Sequence, residues 1–107
     1  MSVLYNNNLG ITSTILRVVD DGEWHQFIEI LNHLRPLIRP ERALRSHTNA
    51  CGRKTIPCRH DWMQQQESGT RYVCRDAIAQ MVKMRRIEKR GFASLVEIRK
   101  RVEEIGP

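Results

Sequence analysis

The sequence predicts a mainly α-helical chain with a small β-hairpin, that is, an α+β fold in one domain of residues 1–107. Three observations lead to this prediction. Apolar residues recur at helical spacing in several segments, and a short segment with strand character runs into a turn at Gly91. A length of 107 residues with 40% hydrophobic content suits a single hydrophobic core.

Helical periodicity and end signals predict four helices. They cover about residues 12–20, 26–35, 40–50 and 71–84. The second has the clearest pattern, because its apolar residues form one stripe that ends at Pro36, whose ring cannot continue a helix. Pro40 suits the first position of the third helix, and Gly22 suits a left-handed stop after the first.

The segment between the third and fourth predicted helices has the weakest pattern. Gly52, Pro57 and Gly69 interrupt it, and few apolar residues remain. We therefore expect residues 51–69 to form an irregular insertion. Within it, residues 61–67 could form a helical turn capped by Asp61.

Three segments are candidates for strands. Residues 23–25 are long enough only for a single pairing, and residues 87–91 lead into the predicted hairpin turn. For residues 94–105 two interpretations remain open. Val96 and Ile98 alternate with charged residues as in a strand, whereas Ser94 and Glu97 match a helical capping box. Residues 99–107 would then be a C-terminal tail or a short helix.

Charge is unevenly distributed along the chain, whose net charge is +6. Residues 1–34 have a net charge of −3, and residues 35–107 have a net charge of +9. The sequence pI is about 9.8. A basic chain with its charge in one part favours a polyanionic partner, although a solvated basic surface would have the same composition.

Two stretches resemble parts of winged helix–turn–helix DNA-binding domains such as those of small bacteriophage and actinobacterial proteins. Residues 15–25 (ILRVVDDGEWH) are similar to the opening helix, acidic-glycine turn and tryptophan of those domains. Residues 77–91 (AIAQMVKMRRIEKRG) are similar to a recognition helix that leads into the first wing strand. Residues 46–69 match no part of the family. Arg85 stands where the family often has glycine, at a position that needs a left-handed backbone.

The resemblance implies a transcriptional regulator that binds double-stranded DNA. Its recognition helix, about residues 71–84, would lie in the major groove, and its wing would contact the flanking backbone. Arg71 and Arg75 are the best candidates for base contacts, because arginine can bond guanine bidentately. The full set of candidate DNA-binding residues is Thr70, Arg71, Tyr72, Arg75, Lys83, Arg86, Lys89 and Arg90, with additional phosphate contacts from Arg39, Arg42 and Arg45.

A possible metal site lies within the predicted insertion. His47, Cys51, Cys58 and His60 offer the two imidazoles and two thiolates that zinc takes in tetrahedral sites. Zinc would also explain how a segment with few apolar residues is held. The spacing lacks a Cys-x2-Cys pair, and Cys-x-His is a strained pair of ligands. The alternative is therefore four partly buried residues without a metal.

Other classes of function have less support. No apolar run approaches the 18 residues of a membrane span, and residues 1–8 do not have the pattern of a signal peptide. No Gly-rich phosphate loop or catalytic triad is recognisable, so we do not expect an enzyme.

We expect a cytoplasmic, nucleoid-associated protein that can form a homodimer. The alternative function is a protein–protein interaction module on the same fold, which zinc could stabilise, in a phage or replication assembly.

Overall fold

The computed structural model describes residues 7–52 and 58–101. These residues form four α-helices and three short β-strands. The helices are α1 (Asn7–Val18), α2 (Phe27–Leu34), α3 (Pro40–Cys51) and α4 (Trp62–Lys83), and the strands are β1 (His25–Gln26), β2 (Ile87–Arg90) and β3 (Glu97–Lys100). Short 3-10 turns follow α1, follow α2 and lie between β2 and β3. The predicted α+β fold is confirmed.

The strands form one antiparallel sheet in the order β1-β3-β2. β2 and β3 are the two arms of the predicted hairpin, with Lys89 opposite Ile98 and Arg90 opposite Glu97. β1 pairs with the other edge of β3 through His25 and Ile98. Residues 97–100 are therefore a strand, and a helix over this segment is the wrong alternative. Residues 102–107, where a later helix was also considered, lie outside the described residues.

The core lies between the helices and the inner face of the sheet. α2 contributes the most buried apolar side chains per turn. Its residues Phe27, Ile30, Leu31 and Leu34, at spacings of three, one and three, all face the core, as predicted. The buried apolar side chains are Ile11, Ile15, Val19, Phe27, Ile30, Leu31, Leu34, Ile38, Ala43, Val73, Cys74, Ile78, Met81, Ile87 and Ile98.

α4 begins at Trp62, so the helical turn considered for residues 61–67 is the start of this long helix, and the expectation of an irregular segment up to residue 69 is wrong for residues 62–69. The predicted cap is present, because the Asp61 carboxylate accepts a hydrogen bond from the backbone N–H of Gln64 at 2.8 Å. The Gln64 side chain in turn accepts from the Asp61 N–H at 2.9 Å, which completes a capping box. This start was underestimated because the first turns of α4 have little apolar periodicity.

The N-terminal half of α4 packs against α3 at backbone distance. Gly69 lies so close to Ala43 that a Cβ at position 69 would fall 1.6 Å from the Ala43 carbonyl oxygen. Next to this contact, the Glu67 carboxylate forms ion pairs with Arg35, at the end of α2, and with Arg71 on its own helix. Gly69 therefore allows close helix packing and does not interrupt the chain.

α4 ends in a left-handed turn at Arg85, whose φ is +60°. The N–H of Arg86 donates to the carbonyl oxygen of Met81 at 2.9 Å, and that of Arg85 donates to Val82 at 3.0 Å. This is the hydrogen-bond pattern of a Schellman motif. Arg85 thus adopts the left-handed conformation that is expected at this position from the resemblance to winged helix–turn–helix domains. This conformation costs roughly 1 kcal/mol relative to glycine.

We predict that Gly69→Ala destabilises the protein, because the new methyl group has no space against the Ala43 carbonyl oxygen. Separating the two helices should lower the free energy of unfolding by about 1–3 kcal/mol or more. Urea denaturation measures this difference directly.

Gly10→Ala is the matched control, because Gly10 also lies within a helix but nothing lies within 4 Å of the position of its Cβ. This substitution should raise the free energy of unfolding by about 0.5–1 kcal/mol. Equal stability of Gly69→Ala and the parent protein would show that α3 and α4 do not pack at this distance.

Candidate nucleic-acid interface and candidate metal centre

One face of the C-terminal half of α4 is exposed along its whole length. Its residues repeat at helical spacing opposite the buried residues Val73, Cys74, Ile78 and Met81. We call this face the α4 ridge; it consists of Tyr72, Arg75, Asp76, Ala79, Gln80 and Lys83. Three of the predicted DNA-binding residues, Tyr72, Arg75 and Lys83, therefore lie on it.

A groove of about 370 Å³ separates the α4 ridge from the hairpin. Arg75 lines it from the helix and Lys89 lines it from β2. The Arg75 guanidinium lies 5.6 Å from the centre of the Phe27 ring, within the range of a cation–π contact. The predicted base-contacting arginine and the predicted phosphate-contacting lysine thus face the same groove.

A second groove, of about 480 Å³, lies on the other side of the α4 ridge. Arg42 of α3 and Arg86, after α4, both line it, and Asp76 and Gln80 line it from the ridge. Cationic side chains therefore border the α4 ridge on both sides: Lys89 on the hairpin side, and Arg42 with Arg86 on the α3 side.

Lys89 and Arg90, which were both predicted to bind DNA, lie on different sides of the hairpin. Because neighbouring residues of a strand face opposite sides, Lys89 and Arg90 lie on different faces of the hairpin. The Arg90 guanidinium lies 4.0 Å from the centre of the Trp24 ring, and its Nε donates to Glu97 at 2.9 Å. Arg90 therefore stabilises the sheet and does not line the grooves beside the α4 ridge.

Arg99 completes this outer face of the hairpin. Its guanidinium lies 4.5 Å from the centre of the Trp24 ring, and its Nε donates to Glu88 at 2.7 Å. Trp24 is thus covered by two guanidinium groups, each of which also bonds a carboxylate on the opposite strand.

Two other predicted DNA contacts occupy different environments from those expected. Thr70 is only 9% exposed, and its hydroxyl donates to the backbone carbonyl of Gln66 at 2.8 Å. Arg71 is partly exposed and its Nε donates to Glu67 at 3.0 Å. Neither residue lies on the α4 ridge, because Thr70 is buried and Arg71 is directed to Glu67, which also pairs with Arg35 at the end of α2.

The three arginines predicted to make additional phosphate contacts lie before or within α3 and also occupy different positions. Arg42 lines the groove beside the α4 ridge, as described above, whereas Arg39 and Arg45 are exposed at other positions on the surface.

Gln80 lies on the ridge but was not among the candidate residues. Its spacing of four residues from Asp76 is the signal that could have identified it.

The four proposed metal ligands come together in one cluster, which we call the His–Cys cluster. It contains His47 and Cys51 from the C-terminal part of α3, and Cys58 and His60 from the segment before α4. One ligand atom from each residue lies within 4.8 Å of all the others. The cluster could hold a metal ion.

Several distances in the His–Cys cluster are close to those between the ligand atoms of a tetrahedral ion. The Cys58 Sγ lies 3.0 Å from Nδ1 of His60 and 3.1 Å from Nε2 of His47, and the Cys51 Sγ lies 3.8 Å from Nδ1 of His60. A zinc ion with bonds of about 2.3 Å to sulfur and 2.0 Å to nitrogen holds its ligand atoms roughly 3.3–3.8 Å apart. Small movements would close the site around an ion.

Contacts near the cap of α4 position Cys58 and His60, the two cluster residues in the segment before this helix. Gln65 donates from its side chain to the His60 carbonyl oxygen at 2.8 Å, one residue before the Asp61 cap. The backbone N–H of His60 donates to the Cys58 Sγ at 3.4 Å. The Cys-x-His pair, expected to be strained, therefore converges on one point.

No family model matches the chain, and comparisons with curated proteins and with solved structures also found no match. Among the described residues, no helix combines the length and apolarity needed to cross a membrane.

The Glu67 ion pairs generate a prediction about pH. Hydrogen bonding to Arg35, and secondarily to Arg71, lowers the pKa of Glu67 to about 2. A carboxylate with a lowered pKa in the folded state stabilises the fold fully above its ordinary pKa of 4.5, and this contribution is lost as the pH falls toward 2. Glu67→Gln should therefore be less stable than the parent protein at neutral pH, and the difference should shrink in acid.

Urea denaturation of both proteins at several pH values between about 7 and 2 measures this difference. Glu23→Gln is the control, because Glu23 is exposed and its side chain makes no ion pair among the described residues. A stability difference for Glu67→Gln that is constant over this range would contradict the role assigned to the ion pairs.

Proposed function

We propose that the protein is a DNA-binding transcriptional regulator of the winged-helix type that places the α4 ridge in the major groove of double-stranded DNA. The observation that carries this proposal is the position of the cationic side chains. Lys89 borders the ridge on one side, and Arg42 with Arg86 borders it on the other. A helix in the major groove has a phosphate backbone on each side, so this arrangement suits it.

The chemistry of the α4 ridge also suits contacts with base edges. Arg75 can bond guanine O6 and N7, Gln80 can bond adenine N6 and N7, and Asp76 can accept from cytosine N4. Ala79 lies between them and is small enough to let the helix approach the bases closely. The hairpin beside the ridge would act as the wing, with Lys89 directed to the phosphate backbone.

A protein-interaction module is the second candidate function, and a separate observation favours it. Phe92 and Leu95, at the turn of the hairpin, are 87% and 78% exposed. Large apolar side chains held at a tight turn are suited to contacts with another protein. In that case the basic grooves would bind acidic groups of the partner.

We also propose that zinc is the ion held by the His–Cys cluster. Two thiolates and two imidazoles form a donor set typical of structural zinc sites, and softer sulfur ligands disfavour calcium and magnesium. Four protein ligands fill the tetrahedral positions, so this site would stabilise the fold and would not activate a water molecule.

For the DNA interface, we predict that Arg75→Ala and Lys89→Ala have different effects. Loss of a base contact should cost about 1–3 kcal/mol on a DNA site selected from genomic fragments, with little change on random duplex. Loss of a phosphate contact should weaken binding to both duplexes and make the log–log salt slope shallower by about 0.9. Fluorescence anisotropy at several salt concentrations measures both quantities.

Arg90→Ala is the matched control for Lys89→Ala, since the two residues are neighbours on β2 but face opposite sides. It should leave the salt slope unchanged. Equal slopes for Lys89→Ala and Arg90→Ala would refute the groove assignment. No measurable affinity of the parent protein for duplex DNA at about 50 mM salt would refute DNA binding and favour the interaction module.

For the metal, we predict that the purified protein contains about one equivalent of zinc, measured by elemental analysis, and that Cys58→Ser loses it. Cys74→Ala is the control, because Cys74 lies in the core and is not a member of the cluster. Burial also raises the pKa of its thiol to about 12. A metal-free parent protein whose melting temperature is unaffected by added zinc would contradict the proposal.

A further inference from the structure

The two ring nitrogens of His47, the buried member of the His–Cys cluster, have different nearest partners. His47 is only 2% exposed, and its Nε2 lies 3.1 Å from the Cys58 Sγ. Its Nδ1 lies 3.0 Å from the hydroxyl oxygen of Ser68, on the facing helix α4, and 3.9 Å from the Cys51 Sγ. The nearest partner of Nε2 is therefore a sulfur of the cluster, whereas the nearest partner of Nδ1 is a hydroxyl group outside it.

This arrangement specifies a protonation state for a metal-bound His47. An imidazole that donates its Nε2 lone pair to a metal must carry its proton on Nδ1. That N–H then donates to Ser68 Oγ, which fixes the orientation of the ring. Hydrogen bonds of this kind raise metal affinity because the ligand is held in its binding orientation before the ion arrives.

The position of Ser68 is itself fixed by helix packing. The next residue, Gly69, is in backbone contact with Ala43, one turn before His47 on α3. The hydroxyl of Ser68 is thus held beside His47 by the same close approach that joins the two helices. Two independent features, a hydrogen bond and a packing contact, therefore converge on this histidine.

The remaining ligands show what the site would connect. Cys51 lies one turn after His47 on α3, whereas Cys58 and His60 are exposed and belong to the segment before α4. An ion bound to all four would tie this segment to the buried His47.

We infer that Ser68 is a positioning residue of a structural zinc site that ties α3 to the start of α4, selecting Nε2 of His47 as the ligand atom. This inference depends on the zinc site proposed above. Ser68 does not bind the ion, so its removal should weaken the site without abolishing it.

The test compares the zinc affinities of three variants with that of the full-length parent protein, by competition with a chelator of known affinity. Ser68→Ala should lower the zinc affinity by about 10–100-fold, the range typical of outer-shell partners of metal-bound histidines. Ser68→Thr keeps the hydroxyl and should stay close to the parent. Ser46→Ala removes a half-buried serine next to His47 that has no hydrogen bond to the cluster among the described residues, and it should also stay close.

A second measurement separates positioning from general destabilisation. The melting temperature of the metal-free proteins should be similar for the parent and Ser68→Ala, while that of the zinc-loaded proteins should differ. A zinc affinity of Ser68→Ala equal to that of the parent overturns the inference and leaves the zinc site in place. Equal losses in Ser68→Ala and Ser68→Thr overturn it as well. A parent protein that binds no zinc overturns both this inference and the zinc proposal.

Discussion

The contact between Gly69 and Ala43 determines how α3 and α4 meet. Two helices can approach at backbone distance only where one of them has no side chain, and the Gly69 position provides this. The contact sets which residues of α3 and α4 face each other. It places Ser68 beside His47 and Glu67 beside Arg35. The His–Cys cluster and the ion pair between Glu67 and Arg35 both lie beside this contact.

α4 connects the two candidate sites of the molecule. It has 22 residues, which corresponds to a length of about 33 Å. Its first turns are held mainly by polar contacts: the Asp61 cap, the Glu67 ion pairs and the Ser68 hydroxyl. Its later turns are held by the apolar core. The α4 ridge therefore does not depend on the His–Cys cluster for its own packing, although the cluster lies just before the start of the helix that carries the ridge.

Much of the fold could be predicted from local patterns, because those patterns are also the cause of the structure. The apolar stripe of α2 faces the core, and Gly91 turns the chain between the two strands of the hairpin. The first turns of α4 could not be predicted in this way. Gln64, Gln65 and Gln66 have no apolar periodicity, and Gly69 resembles a helix breaker unless its partner on α3 is known.

The same distinction applies to the candidate sites. The spacing of His47 and Cys51 on one helix face could be recognised, and so could the charge of the region that follows α2. The role of Ser68 could not, since it depends on the pairing of two helices. The burial of Thr70 depends on which side of α4 packs against the rest of the fold. Each of these is a consequence of tertiary contacts.

The two faces of the hairpin differ in a way that acts beyond contact distance. On the outer face, Arg90 and Arg99 are balanced by Glu97 and Glu88, so their fields largely cancel a short distance away. Lys89 on the inner face has no such carboxylate among the described residues. A polyanion within the screening length of about 10 Å at 0.1 M salt would therefore be attracted toward one side of the molecule. Such a field turns the two partners toward each other before they touch, and it increases the rate at which they meet more than the time they remain together.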